Sequence, residues 1–197
     1  MRSHKGRELK LDCPVSQFQN ILVYMKLPIA EHAKSLLIEA GLSGWTLEAV
    51  ALRAGCAKGL VAYHHRTRSA LLGAVAAQLR GDRLRRRGAA LEGTGSAAID
   101  ALWTVIVDEH RSGESAAWFA LLASRDPEIR LGQHAPADEA TLLGRRMVTA
   151  LSLETDAVAV GHTTIAALDG FAAALLQGGL VEDVRDAYHR FWLGLLG

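Results

Sequence analysis

Few residues in this chain are spaced for covalent or metal chemistry. A metal-binding helical bundle repeats Glu-x-x-His pairs on facing helices, and the chain approaches that pattern once, with Asp186 and His189. Glu109 and His110 are neighbours and so point to different helix faces, while His134 and His162 stand apart. Cys13 and Cys56 can build neither a zinc site nor a disulfide framework, which fits a reducing, cytoplasmic setting. Gly93-Thr94-Gly95-Ser96 lacks the preceding strand and following lysine of a phosphate loop. These residues point away from an enzyme and call for no metal and no cofactor.

The chemistry that remains is recognition of a polyanion. Residues 46–72 read TLEAVALRAGCAKGLVAYHHRTRSALL. Thr46 can cap a short helix that carries Leu47, Val50 and Ala51. Gly55 can take the left-handed backbone that closes it. After Cys56-Ala57-Lys58 a second short helix can carry Leu60, Val61 and Tyr63. Two helices about a glycine turn make a helix-turn-helix, whose second helix enters the DNA major groove. Charge agrees with this placement. Residues 1–90 hold 15 Lys and Arg against 6 Asp and Glu, and residues 91–197 hold 7 against 15, within a net charge of +1. A basic head is joined to an acidic body.

The pattern extends to both sides. Ile29-Ala30, Ala33, Leu36-Leu37 and Gly41 form a first helix and its stop, and Thr46 with Val50-Ala51 forms the second. Ala54-Gly55-Cys56-Ala57 makes the turn. Gly59, Leu60-Val61, Tyr63 and His64 follow on the recognition helix, and Arg68 opens a fourth helix. From Ile29 to Leu72 this resembles the tetracycline-repressor (TetR) family of bacterial transcription regulators. Three positions depart from the family: Ala62 for a frequent tyrosine, His65 for a near-constant phenylalanine, and Arg66 where proline or glycine is common. Ala166-Ala167-Leu168-Asp169-Gly170-Phe171 is similar to a stretch of the family's penultimate helix.

The resemblance implies an all-α fold of about nine helices. A three-helix DNA-binding head (residues 28–74) is joined by helix 4 to a ligand-binding and dimerisation body (residues 75–197), after an N-terminal arm of residues 1–27. It implies a homodimer on a near-palindromic double-stranded DNA operator, released by a small-molecule effector of unknown identity. Thr46, Tyr63, His64 and Arg68 match phosphate-contacting positions. Lys58, Gly59 and Leu60 match positions at base edges, where lysine suits guanine and leucine a thymine methyl.

Half the chain is apolar, without sustained apolar–polar alternation, so the weight falls on helices. Residues 1–27 are polar and basic. Arg2, Lys5, Arg7 and Lys10 could reach a minor groove or simply stay solvated, and Met25 is itself a plausible start. Pro28 suits the first position of helix 1, and Trp45 can cover the small core of the head. Thr67 caps a long helix to about Arg87, whose basic end, Arg80 to Arg87, reads as a solvated face near a helix C-terminus. Helices follow at about 96–111, 114–124 (ended by Asp126-Pro127), 136–151, 155–177 and 181–196. Trp103, His110, Trp118, Phe119 and Met147 have the mix of apolar bulk and polar tips that an effector pocket uses. Ile165, Leu168, Leu175, Phe191, Trp192 and Leu195 offer apolar surface for a dimer. The stretch 157–176 is broken by His162 and Asp169 and makes a poor membrane span. A helical adaptor or ligand-binding protein without DNA binding is the alternative, and a helical-bundle enzyme the remaining one.

Overall fold

A computed structural model describes residues 15–134 and 137–196, so the arm residues Arg2, Lys5, Arg7, Lys10 and Cys13 lie outside the described residues. Helix α1 (Val15–Ala40) runs through Pro28 rather than beginning there. Proline's preference for a helix start makes position 28 the natural choice from sequence, yet the backbone continues helical upstream. Gly41, at φ +64°, stops the helix with its N–H on the Leu37 carbonyl at 3.0 Å. Helices α2 (Leu47–Arg53) and α3 (Lys58–His64) follow, and then α4 (Arg68–Ala90). Leu37, Trp45, Val50, Val61, Leu71 and Leu72 interlock as the core of this head. The Trp45 indole N–H donates to the Ala33 carbonyl at 2.8 Å.

That core does not close at the end of the three-helix head. It continues along α4 to Val75, Ala76 and Leu79, and takes in Ala117, Trp118 and Leu121 of α6 (Glu114–Leu122) and Ile129 of α7 (Pro127–Gln133). Helix α7 makes ten described helices instead of about nine. With α6 already ended at Leu122, Asp126-Pro127, expected as a terminator, instead starts α7. The Asp126 side chain caps it through the Glu128 N–H at 2.9 Å, with proline at the first turn.

Helix α7 is pinned along α4. Thr67, the N-cap of α4, accepts the Ala70 N–H at 2.9 Å and donates its hydroxyl to Glu128 at 2.5 Å. Ser69 donates to Asp126 at 2.5 Å, and that bond is the main cause holding the Asp126 carboxyl below its ordinary range. Gly73 and Gly132 let the two backbones meet, since a Cβ on either would collide with main-chain carbonyl atoms of the other helix. At the far end Arg80 donates to the carbonyl of Gly132 at 2.9 Å and to that of His134.

The body is built by α4, α5 (Ser96–Arg111), α8 (Ala137–Leu151), α9 (Ala157–Leu176) and α10 (Val181–Leu196). Leu102, Ile106, Leu143, Met147, Leu168 and Tyr188 form its core. Tyr188 donates to the Ile99 carbonyl at 2.7 Å and sits 5.2 Å from both Trp103 and Phe171. Gly144 and Gly161 let α8 and α9 cross at backbone contact. Helix α9 has the length and hydropathy of a membrane span, but its Val160, Leu168, Ala172 and Leu175 are buried in this core.

The basic end of α4 is a correction to the solvated face expected there. Arg83 and Arg87 are each only 3% exposed. Arg83 donates to Glu109 of α5 at 3.0 Å and to Asp169 of α9 at 2.9 Å. Arg87 reaches the same Asp169 oxygen at 2.8 Å and Glu109 at 3.3 Å. Burial, and then repulsion from Arg87, press the Arg83 pKa below its ordinary value, while Glu109 and Asp169 oppose that shift. Arg86 pairs with Glu114, one contact at 3.1 Å. Only Arg85 of this run is largely exposed.

Three outcomes follow for urea denaturation. Glu109→Gln leaves buried guanidinium charge uncompensated and should cost roughly 3–5 kcal/mol, whereas Arg85→Ala should stay within about 0.5 kcal/mol. Gly144→Ala forces the α8–α9 crossing apart and should cost about 1–3 kcal/mol.

Candidate nucleic-acid interface

The α2–α3 turn forms because three local signals agree. Thr46 has extended backbone and accepts the Ala49 N–H at 3.1 Å, capping α2. Gly55, at φ +62°, reverses the chain, with its N–H on Leu52 O at 3.2 Å and the Cys56 N–H on Ala51 O at 3.0 Å. Val61, fully buried, then fixes which face of α3 meets the core. The opposite face is open.

On that open face stand Lys58, Gly59 and Tyr63, all exposed, with Leu60 half-buried beside them. A Cβ on Gly59 would meet no atom within 4 Å, so the backbone itself is approachable there. Tyr63 is 65% exposed. Its ring lies edge-on to His64, with centroids 5.4 Å apart. His64 is half-buried, and its Nε2 has no hydrogen-bond partner. Arg68 is exposed and stacks its guanidinium 5.4 Å from the Trp45 ring centroid, a cation–π contact that orients it at the start of α4. Thr46 is exposed at the start of α2. All seven residues therefore belong to the helix-turn-helix or its immediate flanks; Thr46, Lys58, Tyr63 and Arg68 are exposed, whereas the His64 Nε2 is buried.

One partner of this group was not legible in the sequence. Glu48, in the first turn of α2, pairs with Lys58 across the turn, and that bond holds the Glu48 carboxyl below its ordinary range. The pair is exposed, so Lys58 can exchange it for another anion. Of the departures, His65 is buried at the end of α3, where its N–H bonds the Val61 carbonyl at 2.8 Å. It occupies the core. Ala62 and Arg66 are exposed, so neither is needed for packing the head.

The residues expected in an effector pocket are not gathered around one space. Trp103 and Met147 are buried in the body core, Phe119 lies between the two cores, and His110 is half-buried near the end of α5. Trp118 does border a cavity of about 100 Å³, together with Arg80, Arg83, Leu84, Arg87, Gln133, Ile165 and Asp169. A larger groove of about 460 Å³ lies between α4 and α8, over Gly81 and Gly88. The expected dimer face also divides. Leu168, Leu175 and Trp192 are at most 2% exposed and fill the protomer's own core, which removes them from any outer surface. Ile165 and Phe191 are half-buried, and Leu195 is 45% exposed.

No protein-family model matches the chain, and no curated protein sequence matches it significantly. Solved structures do. The multidrug binding protein EbrR, crystallised with imidazole, superposes with a TM-score of 0.61 at 24% identity, over 85% of this chain and 89% of that one. A TetR transcriptional regulator from Rhodococcus sp. RHA1 superposes with a TM-score of 0.55 at 18% identity, over 87% of this chain and 94% of that one. Head, connecting helix and helical body thus follow one shared arrangement. This chain has the fold of the TetR regulators.

Proposed function

We propose that this protein is a sequence-specific, DNA-binding transcriptional regulator that acts as a homodimer and is relieved by a small molecule. The observation that carries it is the open face of α3. Lys58, Gly59, Leu60 and Tyr63 are presented together on a helix whose reverse side is locked by Val61, with Thr46, His64 and Arg68 around its ends. In the arrangement this supports, Thr46, Tyr63, His64 and Arg68 hold phosphates and set the register, while Lys58 and Leu60 meet base edges. Glu48 competes with phosphate for Lys58, so it discourages the lysine from binding backbone anywhere and favours a site that offers it a better partner.

The two-fold partner fits on the outer faces of the last two helices. Val158, Ala166, Gly170 and Leu176 are exposed on α9, and Leu193 and Leu195 on α10. Between these helices runs an apolar groove of about 460 Å³, lined by Ala167, Gly170, Phe171, Ala174, Ala187 and Phe191 among others. Small residues there permit close helix approach. The interface is thus proposed on this outer stripe, with Ile165, Phe191 and Leu195 at its edges. EbrR is a multidrug binding protein crystallised in complex with imidazole, which supports a small organic molecule as a ligand of this chain.

Retention on double-stranded DNA at low salt, falling steeply as salt rises, is the expected result. Tyr63→Ala and Arg68→Ala should each weaken operator binding by ~1–3 kcal/mol with an unchanged fold. Unchanged affinity of both variants across a salt titration would remove them from the site, and no retention of the wild type would leave the chain a helical adaptor. Gly170→Arg should convert a dimer to a monomer in sedimentation without lowering the urea midpoint. A wild-type mass that stays monomeric at every concentration would overturn the dimer.

A further inference from the structure

The cavity beside Trp118 is walled by groups that leave a specific set of hydrogen bonds unmade. Trp118 is 6% exposed, and its indole N–H has no acceptor in the protein. Arg87, 3% exposed, likewise has an Nε–H without an acceptor. Both line the cavity. Asp169 receives Arg83 and Arg87 on one oxygen, Oδ1, which leaves Oδ2 open to a further donor. Leu84 and Ile165 supply apolar wall. Buried donors without acceptors are uncommon because each forfeits the water it had in the unfolded chain.

Charge and size then restrict what could fill the space. Arg83 and Arg87 are matched by Glu109 and Asp169, and Arg80 is matched by Glu139 at 3.1 Å. A ligand carrying net charge would unbalance a buried set that already cancels, at the desolvation cost of an unpaired ion. At about 100 Å³ the cavity is smaller than the one of ~150 Å³ known to take benzene. Any occupant is therefore a compact group no larger than a five-membered ring.

We propose that this cavity binds a small neutral molecule, or the head of a larger one, that pairs a hydrogen-bond acceptor with an adjacent N–H donor: a primary amide or an azole. Its acceptor takes the Trp118 and Arg87 N–H groups, and its N–H donates to Asp169 Oδ2. As the signal of a regulator the site rests on the function proposed above, but its occupancy does not.

The test is an NMR titration of the full-length protein, labelled to show the indole N–H signals of its 4 tryptophans. Acetamide is the probe, and acetate, of the same shape but charged, is the control. Trp118→Phe assigns the Trp118 signal while keeping an aromatic ring on Arg83, which lies 5.2 Å from the indole centroid. Acetamide should move that signal saturably, with a midpoint on the order of millimolar given how little so small a ligand can gain, and leave the other three in place. Acetate should not move it at the same concentrations. Ile165→Phe, which fills the space without touching any polar partner, should abolish the acetamide response with the Trp118 signal still present. No saturable movement with acetamide, an equal response to acetate, or an unaltered response in Ile165→Phe would overturn the proposal. DNA retention is measured separately on the same protein. A Trp118 response without DNA retention sinks the regulator and leaves the site, and DNA retention without a Trp118 response does the reverse.

Discussion

The body of this protein is organised around two buried arginines that share two carboxylates. Arg83 and Arg87, one turn apart on α4, meet Glu109 from α5 and Asp169 from α9. Desolvating four charges is expensive, and an apolar replacement of equal volume would often be at least as stable. What the charges add is directionality. Each guanidinium has donors in a fixed fork, so α4, α5 and α9 are held in one relative rotation and register. Apolar packing alone would tolerate several. Arg83 also faces the Trp118 ring of α6 at 5.2 Å, which brings a fourth helix into the same arrangement.

Helix α4 therefore serves two cores at once. Its first half, Leu71 to Leu79, packs into the core built on α1 to α3, and its second half carries the buried arginines of the body. Helix α7 reinforces the join. It lies on α4 close enough to require Gly73 and Gly132, with Thr67 and Ser69 bonded to its first turn and Arg80 to its last. Thr67 is the N-cap of α4 and stands three residues after His64, the end of α3. The start of α7 is thus tied directly to the first turn of α4.

The sequence made the head legible because its determinants are local. Thr46, Gly55 and Thr67 act within a turn of themselves, and each does in the structure what its residue type favours. The body was less legible because the same residues support two readings. Asp126-Pro127 reads as the end of a helix, but the same pair starts the next one, with the aspartate as its cap and the proline in its first turn. The arginine run reads as a solvated face by composition. Its spacing says otherwise, since Arg83 and Arg87 continue the buried stripe of Leu72, Ala76 and Leu79 at steps of three and four. Glu109 likewise extends the stripe of Leu102 and Ile106 on α5. An arginine and a glutamate that each prolong an apolar stripe on neighbouring helices are the signal of a buried pair. The dimer residues failed for the opposite reason. Leu168, Leu175 and Trp192 are large and apolar, as an interface needs, but so is a core, and hydrophobicity cannot say whose surface covers it.

That distinction changes where a signal can act. Had the large apolar residues of α9 faced outward, the helix would join two subunits and touch its own core lightly. Instead Leu168, Leu175 and Asp169 face inward, and Ala166 and Gly170 face out, with Val158 and Leu176 exposed at the two ends of the helix. One side of α9 is thus bonded to the arginines of α4, and the other is the face proposed above for a second copy. In the proposed dimer, a change in how Asp169 is bonded would bear both on α4 and on the face offered to the second copy. Both must be right for two recognition helices to enter successive grooves. Energetic coupling needs an element with differential contacts in each state. Among the described residues, α9 reaches α4 through Asp169 and packs against α5, α6, α8 and α10.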